Sequence, residues 1–150
     1  MHAALREARA SAAADEVPVG CVIVHEGLVI GRGHNQVEGL KDATAHAEIL
    51  AIGAASAALG SWRLHECTLY VTLEPCSMCA GAIVLARLAR LVYGAPDPKA
   101  GACGSVLDVI REPRLNHRAE VRGGLLADEC GALLREFFSK KRREGNGKSG

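Results

Sequence analysis

Two short stretches of the chain contain residue types that bind metal ions and transfer protons. The first is His46-Ala47-Glu48, the second is Pro75-Cys76-Ser77-Met78-Cys79, and 26 residues separate them. Together they supply three zinc ligands, one histidine and two cysteines, and one further carboxylate. A structural zinc ion normally has four protein ligands, whereas a catalytic zinc has three and leaves the fourth position to water. The set of three therefore favours a catalytic zinc site.

The order of these residues is that of zinc-dependent nucleobase deaminases, in which His-x-Glu precedes Pro-Cys-x-x-Cys. We expect His46, Cys76 and Cys79 to hold one Zn²⁺ per subunit, which acidifies a water molecule. Glu48 would not bind the metal; it would take the proton that the water releases. On a helix His46 and Glu48 would point about 200° apart, so they can share a site only at a helix start. Thr44 is a candidate N-cap for that start.

The two cysteines also fit a helix start. Cys76 and Cys79 are three residues apart, so both would face one ion, and the helix N-terminus would favour their thiolate forms. Pro75 is a candidate for the first helical position.

Each motif alone has a simpler interpretation. A lone Cys-x-x-Cys also occurs in structural zinc sites and redox centres, and a lone His-x-Glu is usually a surface coincidence. Six other residues could in principle complete a four-ligand site. None of them has a paired spacing, so ordinary buried or surface positions are the simpler interpretation. These six residues are Cys21, Cys67, Cys103, Cys130, His34 and His65.

Length and composition predict a single domain over residues 1–150. The chain is 49% hydrophobic and 23% charged, which is ordinary for a globular enzyme. Neither an apolar run of 18 residues nor a signal peptide is recognisable, so we expect a cytoplasmic protein without a membrane partner. Six cysteines in such a protein indicate reduced thiols and a metal site.

Charge is unevenly distributed along the chain. The net charge is +1, but residues 135–150 hold six basic and two acidic side chains, so the remainder is net acidic. A basic end can bind phosphate backbones, or it can be a solvated helix end. We expect residues 144–150 to form a disordered tail.

Hydrophobic periodicity predicts alternating strands and helices. A turn at Glu26-Gly27 would join the first two strands as a hairpin. The pattern predicts an α/β fold, a three-layer α/β/α sandwich with a five-stranded mixed sheet. The expected helices cover residues 5–14, 45–59, 76–86, 105–110 and 127–143, and the expected strands cover 19–24, 28–33, 68–72, 90–93 and 119–122.

The chain resembles one family over nearly its whole length, the bacterial tRNA-specific adenosine deaminases of the TadA type, within the cytidine-deaminase-like fold. The metal motif alone is shared with deaminases of cytidine, cytosine and guanine. The other stretches are those that resemble the deaminases acting on tRNA. The resemblance rests on residues 16–20, 42–48, 69–76, 94–99, 116–118 and 126–130, which read EVPVG, DATAHAE, LYVTLEPC, GAPDPK, NHR and LADEC.

This resemblance implies hydrolytic deamination of adenosine to inosine at the wobble position of tRNA, with release of ammonia, by a homodimer that binds the anticodon loop. Zinc-activated water would attack C6 of the adenine, and Glu48 would shuttle protons to N1 and to the leaving amino group. By position, five residues match substrate contacts of the family: Asn35 for the base, Asp97 and Lys99 for flanking nucleotides, and Phe138 and Arg142 on the C-terminal helix.

Some features leave other interpretations open. Asn35 could be only a turn residue after the second strand. The family often has arginine where this chain has Pro96, and proline where it has Ala43, so the loop before Asp97 could contact RNA differently. Three competing functions remain at this stage: a deaminase of free bases or nucleosides, a structural zinc module, and an RNA-binding protein without catalysis.

Overall fold

The computed structural model describes residues 1–147, so Lys148 of the basic segment lies outside the described residues. These residues form five helices and five strands, in the order α-β-β-α-α-β-α-β-β-α. The helices are α1 (His2–Ala13), α2 (Val37–Leu40), α3 (Ala47–Leu59), α4 (Ser77–Leu85) and α5 (Ala127–Gly147), and the strands are β1 (Gly20–His25), β2 (Leu28–His34), β3 (Thr68–Leu73), β4 (Arg90–Ala95) and β5 (Glu120–Arg122).

The strands form one mixed sheet in the order β2-β1-β3-β4-β5. β1 pairs antiparallel with β2 and β3, whereas β4 pairs parallel with β3 and β5. Glu26 and Gly27 both have positive φ, 50° and 78°, as a two-residue hairpin turn requires. The hairpin and the five-stranded mixed sheet are therefore confirmed.

Helices cover both faces of the sheet. α1 and α5 contact each other and pack on one face, and α3 packs on the other face beside α4. Gly33 of β2 allows a close approach, because a Cβ atom there would lie 2.7 Å from the backbone nitrogen of Ala51 in α3. The predicted three-layer arrangement is confirmed, and α3 is held tightly against β2.

Several predicted bounds were wrong. α1 begins at His2, and α5 continues through Gly147, where we expected a disordered tail from residue 144. Residues 105–110 form turns and an isolated bridge from Asp108 to Cys103, not a helix, because Val106 and Leu107 donate their backbone N–H groups to the carbonyl of Gly101. α2 was not predicted, since its four residues are too few to show a helical period.

Helix length and apolarity give no candidate for a membrane-crossing segment anywhere in residues 1–147.

Candidate active site

Two helix starts converge at the predicted site. His46 is the N-cap residue of α3, with extended backbone angles, and Cys76 is the N-cap residue of α4. The predictions of Thr44 as the N-cap of α3 and of Pro75 as the first residue of α4 were therefore wrong. The Thr44 hydroxyl donates a hydrogen bond to Asp42 instead, and Pro75 lies one residue before the α4 cap.

His46, Cys76 and Cys79 lie together, with their ligand atoms all within 4.8 Å of one another. The Nδ1 atom of His46 is 3.6 Å from Sγ of Cys76 and 3.5 Å from Sγ of Cys79. Around one tetrahedral ion with zinc's usual bond lengths, nitrogen and sulfur ligands would lie about 3.6 Å apart. The three side chains thus fit a single ion of this size.

The two cysteines differ in their proton affinity. Hydrogen bonds from the Cys79 thiol and from His46 lower the pKa of Cys76 to about 3. The pKa of Cys79 is raised, chiefly because its thiol is the donor to Cys76. One thiolate therefore forms readily, and a bound cation would deprotonate the second thiol as well.

Glu48 lies beside this group, in the first turn of α3, and is only 4% exposed. It is not one of the three clustered ligands. Burial raises the pKa of its carboxyl group above the ordinary value. A carboxyl group with a raised pKa can both take up and return a proton near neutral pH.

A cavity of about 250 Å³ opens in front of these residues. Of the five residues assigned to substrate binding by resemblance, Asn35 and Asp97 line this cavity. The other lining residues are Val17, Val19, His46, Ala47, Glu48, Leu73, Glu74, Cys76 and Ala100.

Asn35 connects two segments at the edge of the cavity. Its side-chain amide donates to the carbonyl of Val17, and its side-chain oxygen accepts from the N–H of Val37, both at 3.3 Å. These bonds are those of a turn-forming asparagine, yet the side chain also lines the cavity. Both interpretations of Asn35 agree with this position.

Asp97 begins a loop that continues along the cavity. Its side chain accepts hydrogen bonds from the N–H groups of Lys99 and Ala100, which fixes the start of the loop. Lys99 does not reach the cavity and lies in a neighbouring cleft.

That cleft, of about 510 Å³, brings together Lys99, Phe138 and Arg142. Arg135, which we did not predict, also lines it, so three cationic side chains surround one half-exposed aromatic ring. A second opening, which includes Pro96, joins the cleft to the cavity. It shares Val17, Leu73 and Asp97 with the cavity, and Lys99, Leu134, Arg135 and Phe138 with the cleft.

Two buried carboxylates near the site, Glu16 and Glu74, have roles that were not predicted from the sequence. Glu16 accepts hydrogen bonds from the N–H groups of Glu38 and Gly39 and thereby holds α2 beside the cavity. Burial raises the pKa of Glu74, but hydrogen bonds from Ser105, Asp97 and Cys103 outweigh it, so the pKa is lower than usual. Their partners are 22 to 31 residues away, and no local spacing signals such contacts.

The six alternative ligands do not join the metal group. Across residues 1–147, the three clustered side chains are the sole set of this kind. His34 pairs with Glu7 at 3.1 Å, and His65 is exposed. The four other cysteines are buried thiols: Cys21, Cys67, Cys103 and Cys130.

Comparison with known sequences places the chain among deaminases. A family model described as MafB19-like deaminase matches residues 1–142. The tRNA-specific adenosine deaminase of Bacillus subtilis is 49% identical, over 96% of this chain and 89% of its own length. That of Agrobacterium fabrum is 50% identical, over 95% of this chain and 93% of its own length.

Solved structures agree with the sequence comparison. A structure from work on A-to-I editing by tRNA:A34 deaminases at the wobble position has a TM-score of 0.86 and 49% identity, covering 89% of this chain and 97% of that one. A guanine deaminase from Nitrosomonas europaea has a TM-score of 0.75 and 34% identity, covering 89% and 80%. The fold is thus shared with enzymes that deaminate different bases.

Proposed function

The chain belongs to the tRNA-specific adenosine deaminase family, and from this premise we propose that it converts adenosine to inosine at the wobble position of tRNA. The observation that carries the proposal is the base-sized cavity, in which His46, Cys76 and Glu48 meet at two helix starts. At about 250 Å³ it is smaller than the roughly 300–1,000 Å³ of most ligand pockets. It suits one base that has been turned out of an RNA loop.

The proposed cofactor is one Zn²⁺ per subunit, held by His46, Cys76 and Cys79. The donor set of one nitrogen and two sulfurs, and the spacing of 3.5 to 3.6 Å between the nitrogen and each sulfur, support zinc over harder cations. When bound, zinc supplies the Lewis acidity that makes water nucleophilic at neutral pH.

Glu48 would carry the protons of the reaction. Its buried carboxylate takes a proton from the attacking water and delivers it to N1 of the adenine as oxygen adds to C6. The hydroxyl group added at C6 then loses its proton through Glu48 to the amino group, which leaves as ammonia. Water is consumed, the C6–N bond breaks, and inosine remains.

The rest of the site would bind the RNA around the target base. Asn35 and Asp97 contact the base and its neighbour from the cavity wall, while Lys99, Phe138 and Arg142 contact flanking nucleotides. The cleft offers positive charge for phosphates and an aromatic ring for stacking, the two features that bind unpaired nucleotides. An anticodon loop is a suitable substrate because turning out an unpaired base costs little.

The assembly and location follow from the same family membership. We propose a homodimer, in agreement with the six large apolar side chains in residues 1–147 that are more than half exposed: Leu28, Leu40, Trp62, Leu85, Val106 and Leu107. Sedimentation equilibrium would show twice the chain mass. We also propose a cytoplasmic location, because that is where the protein would encounter tRNA.

The test is incubation of the zinc-loaded protein with a panel of tRNA transcripts, with inosine read by sequencing. We expect inosine only at the wobble position of some transcripts. Glu48→Ala should keep its zinc and lose at least about a hundredfold in turnover, because a proton carrier contributes 10²–10⁴-fold. An inactive wild type would reject the function, and an active Glu48→Ala would reject the role of Glu48.

A second function is deamination of a free base, which the 34% identity to a guanine deaminase favours. Free guanine, adenine, adenosine and cytidine should be compared with an anticodon stem-loop. Faster turnover of guanine than of the stem-loop would favour this alternative. The cationic cleft beside the cavity supports RNA, since a free base has no phosphate for it to bind.

A further inference from the structure

Glu74 is a buried carboxylate at the end of β3, two residues before Cys76, with 2% of its surface exposed. One oxygen accepts hydrogen bonds from the Asp97 N–H, at 3.1 Å, and from the Ser105 hydroxyl. The other accepts from the N–H groups of Cys103 and Ser105, at 3.0 and 3.1 Å. All four donors belong to the loop formed by residues 97–105.

This loop is also tied to the next residue. The N–H of Ala102 donates to the carbonyl of Pro75 at 2.8 Å. Gly101 packs so closely on the Glu74 carboxylate that any side chain at position 101 would collide with it. The loop is thus attached at its start, middle and end to Glu74-Pro75, the segment that leads into Cys76.

The same loop forms part of the proposed RNA site. Asp97 and Ala100 line the cavity, and Lys99 lines the adjoining cleft. The position of these residues relative to the metal ligands is therefore determined by the hydrogen bonds to Glu74.

We infer that Glu74 is a positioning residue for the RNA substrate: by accepting these four hydrogen bonds it fixes residues 97–105 against the metal site before RNA binds. The inference rests on the proposed function. A loop that is already ordered spares the RNA the entropic cost of ordering it on binding, so Glu74 acts chiefly on KM. Chemistry at the bound base, and hence kcat, depends on Glu48 and the metal ligands.

Glu74→Gln tests this role, because the amide retains the shape but places an NH₂ group opposite two donors. In the zinc-loaded protein, we expect KM for an anticodon stem-loop to rise about tenfold, as the loss of such hydrogen bonds implies. We expect kcat to stay within about twofold and zinc at one per chain. Amide hydrogen exchange should accelerate in residues 97–105 and remain unchanged in α1.

Ser105→Ala is the milder companion variant, since Ser105 is exposed and loses only its hydroxyl donor. It should raise KM about threefold, in keeping with one lost hydrogen bond. If Glu74→Gln does not fold, an unchanged KM in Ser105→Ala overturns the inference. In a double-mutant cycle of Glu74→Gln with Lys99→Ala, the two increases in KM should combine less than multiplicatively, because Lys99 depends on the loop that Glu74 holds.

Four results would overturn the role: an unchanged KM in Glu74→Gln, unchanged exchange in residues 97–105, lost zinc, or fully multiplicative effects with Lys99→Ala. The first two would mean that the loop is ordered without Glu74, and the third that Glu74 supports the metal ligands instead. A wild type that forms no inosine in RNA rejects the proposed function itself. An active wild type with a normal Glu74→Gln variant rejects only the inference.

Discussion

At the residue scale, the site depends on residues that lie just outside regular helix. His46 is an N-cap residue with extended backbone angles, so its imidazole does not follow the helical rotation that begins at Ala47. Glu48, in the first turn, can therefore lie beside the same cavity although it is only two residues away. Cys76 has the corresponding position before α4. Both helix N-termini favour negative charge in the cavity.

The metal assignment predicts different outcomes for Cys76 and for Cys103, whose thiol contacts the residue before Cys76. Cys76→Ala removes one of three ligands, so zinc affinity should fall by more than about a hundredfold, since even outer partners of a ligand contribute 10–100-fold. Cys103→Ala removes a buried thiol that is 4.0 Å from the Pro75 carbonyl and should retain one zinc per chain. Zinc content after dialysis against a chelator measures both.

The Cys103→Ala control also tests how many protein ligands the zinc ion has. Loss of zinc from Cys103→Ala would make Cys103 a fourth ligand and leave no place for water. That result would support the structural zinc module that the sequence left open.

The metal ligands and Glu48 could be predicted from the sequence because they belong to two short motifs with characteristic spacing. Glu74 and Glu16 could not be found in this way. Each accepts hydrogen bonds from backbone N–H groups far along the chain, and every residue except proline has such a donor. Only the folded backbone shows which of them reach a given carboxylate.

At the element scale, the long helices and the five strands were predictable. The apolar residues of α1 and α5 recur with a helical period, whereas α3 and α4 are apolar nearly all round. The segment 105–110 was not predictable, since Val106, Val109 and Ile110 have the spacing of an apolar helical face. The N–H groups of Val106 and Val109 bond instead to the carbonyls of Gly101 and Ala102, and that of Ser105 bonds to Glu74. Tertiary contacts outweighed a local preference that is weak for β-branched residues.

The contact between α3 and β2 positions the end of α3 that carries Glu48. In Gly33→Ala, the new methyl group would meet the α3 backbone, 2.7 Å from the nitrogen of Ala51, so the helix must move away. We expect the free energy of unfolding to fall by about 1–3 kcal/mol, as overpacked positions show. Urea denaturation of the zinc-loaded protein would measure the change.

Gly53→Ala is the matched control, because Gly53 lies in α3, the helix that Gly33 contacts, and a Cβ atom at Gly53 has nothing within 4 Å. It should raise the free energy of unfolding by up to about 1 kcal/mol, since alanine favours a helix over glycine. Equal losses in both variants would show that α3 tolerates no change, and would contradict the close approach at Gly33.

At the scale of the whole molecule, the basic residues of α5 lie on different sides of the helix. Arg135 and Arg142 face Lys99 in the cleft that leads to the cavity. Lys140 and Lys141 line another depression beside α1, and Lys141 forms an ion pair with Asp15 at 2.6 Å. The sequence showed the excess of positive charge at this end of the chain. It could not show that this charge is divided between two surfaces of α5.

This division predicts that equal changes of charge in one helix have unequal effects on RNA binding. Arg142→Ala should weaken binding of an anticodon stem-loop and reduce the slope of log affinity against log salt by about 0.7, the value for one phosphate contact on a single strand. Lys140→Ala should leave the slope unchanged, because its side chain lies in the depression beside α1. Fluorescence anisotropy at several salt concentrations would measure both variants. Equal reductions would mean that RNA responds to the total charge of α5, in which case the cleft would not be the path of the substrate.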